Sequence, residues 1–159
     1  MFPSRLQVIL ATLEIRDDAT KKVRNRVKLF PGNRLDAEKF ILELEEERKI
    51  ANCSICEGEP FCSLFVACAY DALGRDDLVK SFIVDAIECF RKHGLDWNEA
   101  LSTWLLGAFH KPIYPILANH DLSRSIKLFE EISIDLESKG EYNRLYICRQ
   151  LIDKIKNDI

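Results

Sequence analysis

Two cysteines, Cys53 and Cys56, form the one motif in this sequence with a familiar chemistry. A Cys-x-x-Cys pair brings both sulfur atoms to one side of a turn, where they can bind zinc or exchange thiols. Zinc needs two further ligands, and the nearest cysteines, Cys62 and Cys68, lie six residues apart on a predicted helix and hence on different faces. In thiol-exchange proteins the Cys-x-x-Cys motif typically follows a β-strand. No strand is predicted before Cys53. We therefore expect Cys53 and Cys56 to be ordinary thiols. The alternative function is a small helical regulator that depends on a metal or on thiol chemistry at Cys53 and Cys56.

The three histidines, His93, His110 and His120, have no metal-binding spacing. We expect each of them at a helix end or in a loop. The sequence leaves open whether any of them meets a catalytic partner in space. No glycine-rich phosphate loop is present, and the few glycines are predicted to end helices. These residues therefore predict no enzyme and no cofactor.

A basic run over residues 21–28 has the composition of a phosphate-binding segment. Up to residue 34 the chain carries eight basic and three acidic side chains, and residues 35–60 carry three basic and eight acidic ones. Two neighbouring helices of opposite charge explain the run without a ligand, and no aromatic side chains are interleaved with it. We therefore expect no nucleic-acid partner.

Composition indicates a soluble globular chain of one domain. The 159 residues are 47% hydrophobic and 31% charged, with a formal net charge of -3. No apolar stretch approaches the roughly 20 residues that a helix needs to cross a bilayer, and the first residues lack the pattern of a signal peptide. We expect a cytoplasmic protein without a membrane partner.

The elements that position these residues are predicted to be helices throughout, because apolar residues recur every three or four positions and hairpin dipeptides are absent. Gly74, Gly94 and Gly140 are predicted to end helices. Asp96 is predicted to cap a third helix, which stops before Gly107. The predicted all-α domain covers residues 1–159, with N-terminal helices in 1–52, helical hairpins in 60–94 and 95–140, an insertion at 109–120, and a capping helix in 141–159.

The insertion is unusually apolar for a connection between helices. Its two prolines, Pro112 and Pro115, exclude a regular helix across them, so we expect helix to resume at Asp121. The apolar residues from Pro112 to Leu117 either fold over the hairpin ends or face a partner, and we favour the first interpretation.

Residues 60–94 resemble a tetratricopeptide repeat. Within these residues, the positions that match the family's spacing are Ala67, Tyr70, Gly74, Asp77, Leu78 and Ala86. In the next unit, Trp97 and Trp104 stand in the place of the family's aromatic positions. The resemblance implies antiparallel hairpins stacked as an α-α superhelix, with the N-terminal helices packed on it and a groove lined by the first helix of each pair.

Such arrays usually bind proteins, so the resemblance implies a non-catalytic adaptor, scaffold or regulatory module that holds a peptide or partner helix. The implied groove residues are Phe61, Leu64, Cys68, Asp71, Leu95, Asn98 and Ser102. Only Asn98 suits the clamp with which family members hold an acidic tail, and we therefore expect an apolar partner in this groove. Self-association as a homo-oligomer stays open.

Overall fold

A computed structural model of the chain describes Leu42, Ala67, Tyr70 and the continuous stretch 74–159. Four helices run through that stretch: α1 (Asp76–Lys92), α2 (Asp96–His110), α3 (Pro115–Ser138) and α4 (Tyr142–Asp158). The described residues form helices and the turns between them, with no strand among them, so the predicted all-α class is confirmed for this part of the chain. The chain divides into two compact units, residues 1–94 and 95–159.

In the first unit, Ala67 and Tyr70 are helical, and Gly74 lies in a turn at the position where a helix is predicted to end. Gly74 has a φ of 73°, and the next amide, that of Arg75, donates a hydrogen bond to the Tyr70 carbonyl at 3.0 Å. This bond satisfies a carbonyl that the helix end would otherwise leave without a partner. The Tyr70 ring stacks on Phe82 of α1, with ring centroids 5.5 Å apart.

Helix α1 ends at Lys92, two residues before Gly94, the residue predicted to end it. Its buried positions follow the helical period: Val79, Ile83, Ala86, Ile87 and Phe90. The predicted N-terminal helices of residues 1–52 lie outside the described residues except for Leu42, which is helical and exposed.

In the second unit, α2 and α3 pack antiparallel. The Ser125 hydroxyl of α3 donates to the Ala100 carbonyl of α2 at 2.8 Å, and His110 meets Asp121 at the other end of the pair. Helix α4 packs antiparallel on α3 in turn, since the Cys148 thiol donates to the Phe129 carbonyl at 3.2 Å. Both tryptophans of α2, Trp97 and Trp104, are buried, as expected of core residues.

The connection between α2 and α3 differs from the prediction. Helix α2 continues through Gly107 to His110, and α3 begins at Pro115, so only residues 111–114 of the expected insertion 109–120 are outside a helix. Proline is tolerated at the first helical position because the amide there has no helical partner to lose. Asp121 therefore lies inside α3 rather than at its start, and His120 lies within the same helix.

Gly107 serves close packing of α2 on α3. A Cβ atom at this position would lie 2.8 Å from both Cγ and Cδ2 of Leu122 and 3.3 Å from the Ala118 carbonyl oxygen. Such distances are shorter than van der Waals contact, so only glycine lets the two helices approach this closely. The helix-stop role that the sequence predicts for Gly107 is wrong for this reason.

Asp96 also differs from its predicted role as a capping residue. It is the first residue of α2, Leu95 occupies the cap position, and no side-chain hydrogen bond caps the helix. The Asp96 carboxylate still lies in the first turn of α2, where a negative charge interacts favourably with the positive end of the helix dipole.

The end of α3 and the whole of α4 match the prediction closely. Gly140 has a φ of 71°, and the amides of Gly140 and Glu141 donate to the carbonyls of Glu137 and Leu136 in the double bond pattern of a glycine-terminated helix. The buried residues of α4 recur every three or four positions, on one face of the helix: Leu145, Cys148, Leu151, Ile152 and Ile155.

Burial raises the pKa of the Cys148 thiol to about 11. Desolvation disfavours the thiolate, and the thiol also donates a hydrogen bond to Phe129. Cys148 is therefore a neutral core residue near pH 7, as expected of an ordinary thiol. Within residues 74–159, no helix is both long enough and apolar enough to cross a bilayer.

Candidate functional site

The predicted groove is only partly covered by the described residues. Phe61, Leu64, Cys68 and Asp71 lie outside them. The other three groove residues are in the interior of the structure: Leu95, Asn98 and Ser102 are 7%, 0% and 0% exposed. These three side chains do not line an open groove in this conformation.

Their burial follows from the position of α2, which is buried around its whole circumference. Nine consecutive residues, from Trp97 to Leu105, are buried. A helix covered on all sides has no face left for a guest. The groove role of the remaining predicted residues stays a prediction.

The predicted Cys53 and Cys56 pair also lies outside the described residues, and its thiol or metal chemistry stays a prediction. Among the residues that the structure does describe, no group of three or more His, Cys, Asp or Glu side chains has the arrangement of a metal site.

The structure brings together two residues that sequence analysis did not pair. His110, the last residue of α2, and Asp121 of α3 form a buried hydrogen bond, with 2.8 Å between Nδ1 and Oδ2. Nε2 is itself buried and has no hydrogen-bond partner among the described residues. The pair thus links the two helices at the point where the chain turns from one to the other.

The turn after His110 is held by further hydrogen bonds. The His110 carbonyl accepts the amides of Ile113 and Tyr114, at 3.0 and 2.6 Å, and the Tyr114 ring lies edge-on to the His110 ring with centroids 6.1 Å apart. The same histidine therefore anchors the turn through its backbone and through its side chain.

The end of α4 supports the turn from the other side. The Lys111 ammonium donates to the Asp158 carbonyl, and the Asp158 carboxylate accepts the indole N–H of Trp104 at 3.0 Å. Because Trp104 belongs to the core of α2, this contact ties the turn to the interior.

The turn between α2 and α3 and the start of α3 together present an exposed apolar surface, which we call the corner patch. It consists of four side chains with exposed fractions of 48%, 56%, 89% and 39%: Ile113, Tyr114, Ile116 and Leu117. We expected these residues to fold over the hairpin ends, and that expectation is wrong. The alternative interpretation of the sequence, a surface that faces a partner, agrees with their exposure.

Basic side chains continue from the corner patch along α3. His120, Arg124 and Lys127 follow Ile116 at helical spacing and are exposed, and we call these three the basic stripe. These three residues line a surface depression of about 470 Å³. The other residues that line it, among those that the structure describes, are Ser123, Leu128 and Glu131. The corner patch and the basic stripe together are the strongest candidate for a functional surface among the described residues.

Comparison of the chain with family models, with curated proteins and with solved structures gives no match.

Proposed function

We propose that this chain is a non-catalytic protein-interaction module that docks a peptide or helix of another protein on the corner patch. The observation that supports this function is the exposure of four large apolar side chains, two in the turn between α2 and α3 and two at the start of α3. Contiguous exposed apolar surface is a common mark of a protein interface. Because the turn is fixed before binding, little conformational entropy is lost when a partner docks.

The proposal includes a tetratricopeptide-like stacking of the helices. Its support is that α2, α3 and α4 pack antiparallel in chain order, as consecutive helices of such arrays do. The pair α2 and α3 spans residues 96–138, which is longer than the family's period of 34 residues. We propose that the array serves as a cytoplasmic adaptor or regulatory module and uses this corner instead of a concave groove.

An affinity-capture comparison with matched variants tests the function. The full chain, Ile116→Glu and Ile134→Glu are immobilised separately, and native cell extract is passed over each. Ile134 is the matched control because it is 70% exposed on the same helix but lies outside the corner patch. Burying a charge in an apolar interface is costly, so the Ile116→Glu variant should retain at least about tenfold less of the partner.

Circular dichroism establishes that both variants are folded. The proposed function is contradicted if a partner is captured equally by Ile116→Glu and by the unmodified chain.

A further inference from the structure

We propose that the partner of the corner patch is an acidic amphipathic helix. Its apolar side chains cover the patch, and its carboxylates lie along the basic stripe. This inference rests on the proposed function and specifies the chemistry of the partner.

The charge around the corner patch is opposite in sign to that of the whole chain. Residues 109–129 contain Lys111, Arg124 and Lys127 and a single acidic residue, Asp121, whereas the chain has a formal net charge of -3. Asp121 is buried and bonded to His110. The nearest exposed carboxylates along α3 are those of Glu130 and Glu131, which follow the basic stripe at its C-terminal end, so an acidic partner is expected to place its carboxylates beside Arg124 and Lys127. Helix α3 also has no acidic residue in its first turn, and its N-terminal end adds positive potential beside the patch.

The apolar and basic groups are arranged in a line that suits a helix. Ile116, His120, Arg124 and Lys127 follow one another at intervals of four, four and three residues, which places them on one face of α3. From the first to the last of them the face is about 16 Å long. An amphipathic partner helix presents apolar and charged side chains along its axis with the same period and over a similar length.

A second copy of the chain is a weaker candidate for the same surface. A symmetric dimer places each patch on its own equivalent. The two basic stripes would then face each other, and juxtaposed like charges disfavour such contacts.

An anionic membrane is also weaker. The basic stripe carries two formal positive charges, those of Arg124 and Lys127, with His120 counted as neutral. Anionic lipid surfaces are typically bound by clusters of about four to eight Lys or Arg side chains.

Selection from a displayed library of random peptides tests the inference, with the full-length chain as bait. Enriched peptides are sorted by their dependence on the patch, which is measured with Ile116→Ser and with Ile134→Ser as the matched control. We expect the peptides that require Ile116 to carry net negative charge and apolar residues at helical spacing.

Their affinity should fall about tenfold or more in Arg124→Glu/Lys127→Glu, and it should fall with rising salt concentration. Lys154→Glu, on the exposed part of α4, is the control for a reversed charge outside the stripe and should leave the affinity unchanged. Retained thermal stability of each variant establishes that it is folded.

The other outcomes separate the two claims. Peptides that require Ile116 but carry no net negative charge overturn the acidic partner and leave the proposed function standing. If no enriched peptide requires Ile116, the corner patch is not a peptide-docking surface and both claims fail. Dimerisation in sedimentation that Ile116→Ser abolishes, or binding to phosphatidylserine vesicles that it abolishes, assigns the surface to a second copy or to a lipid surface and overturns the inference.

Discussion

The hydrogen bond between His110 and Asp121 matters at the scale of single residues because both partners are shielded from water. A buried polar group that loses its partner costs about 1–3 kcal/mol, and more when it is charged. The bond also fixes the residue whose carbonyl accepts the amides of Ile113 and Tyr114. Loss of Asp121 should therefore weaken the fold and loosen the turn that carries the corner patch.

Asp121→Ala should lower the free energy of unfolding by about 2–3 kcal/mol, because it leaves Nδ1 of His110 buried without its acceptor. Urea denaturation measures the change. Ser123→Ala, an exposed substitution two residues further along α3, is the control and should change stability by less than about 0.5 kcal/mol. Equal stability of the two variants would show that the buried bond does not hold the corner.

His110 lies inside the segment expected to be an insertion, residues 109–120, and Asp121 lies at the expected start of the next helix, so nothing in the sequence pairs them. Their contact depends on the antiparallel register of α2 and α3, which a spacing of eleven residues does not reveal. The core positions of α4, by contrast, were predictable from periodicity alone, because a single amphipathic helix shows its buried face in its own sequence.

Among the elements, the pair α2 and α3 shows where helix-breaking residues mislead. Gly94 and Gly140 end helices as predicted, and both have a positive φ that glycine adopts without strain. Gly107 and Pro115 are also of helix-breaking types, but neither ends a helix. Gly107 lies where α2 and α3 pack closely, and Pro115 is the first residue of α3. The distinction depends on the neighbouring helix, so the sequence of the segment alone does not contain it.

Gly107→Ala should destabilise the protein although alanine is the better helix former. The gain in helix propensity is about 1 kcal/mol, and overpacking against Leu122 costs about 1–3 kcal/mol, so the net effect is a loss. Asn119→Ala on the exposed face of α3 gains helix propensity without a clash and should be neutral or slightly stabilising. Thermal melts of both variants compare the two effects, and a stabilised Gly107→Ala would contradict the close packing.

At the scale of the whole molecule, the proposed interaction surface lies at the turn between α2 and α3, in the second unit. Family resemblance pointed to a groove, but Leu95, Asn98 and Ser102 of that groove are interior residues. The corner patch combines exposed apolar side chains with a rigid support and a basic border. The apolar residues from Pro112 to Leu117 are visible in the sequence, but whether they are buried or exposed depends on how α2 and α3 meet.

Site-specific photo-crosslinking tests this central claim most directly. A photoreactive phenylalanine derivative replaces Ile116 in the corner patch, Leu64 in the predicted groove, or Ile134 as an exposed control, and each full-length chain is irradiated in native cell extract. We expect a crosslinked partner from position 116 and none of that partner from positions 64 and 134. A partner crosslinked from position 64 and not from position 116 would contradict it.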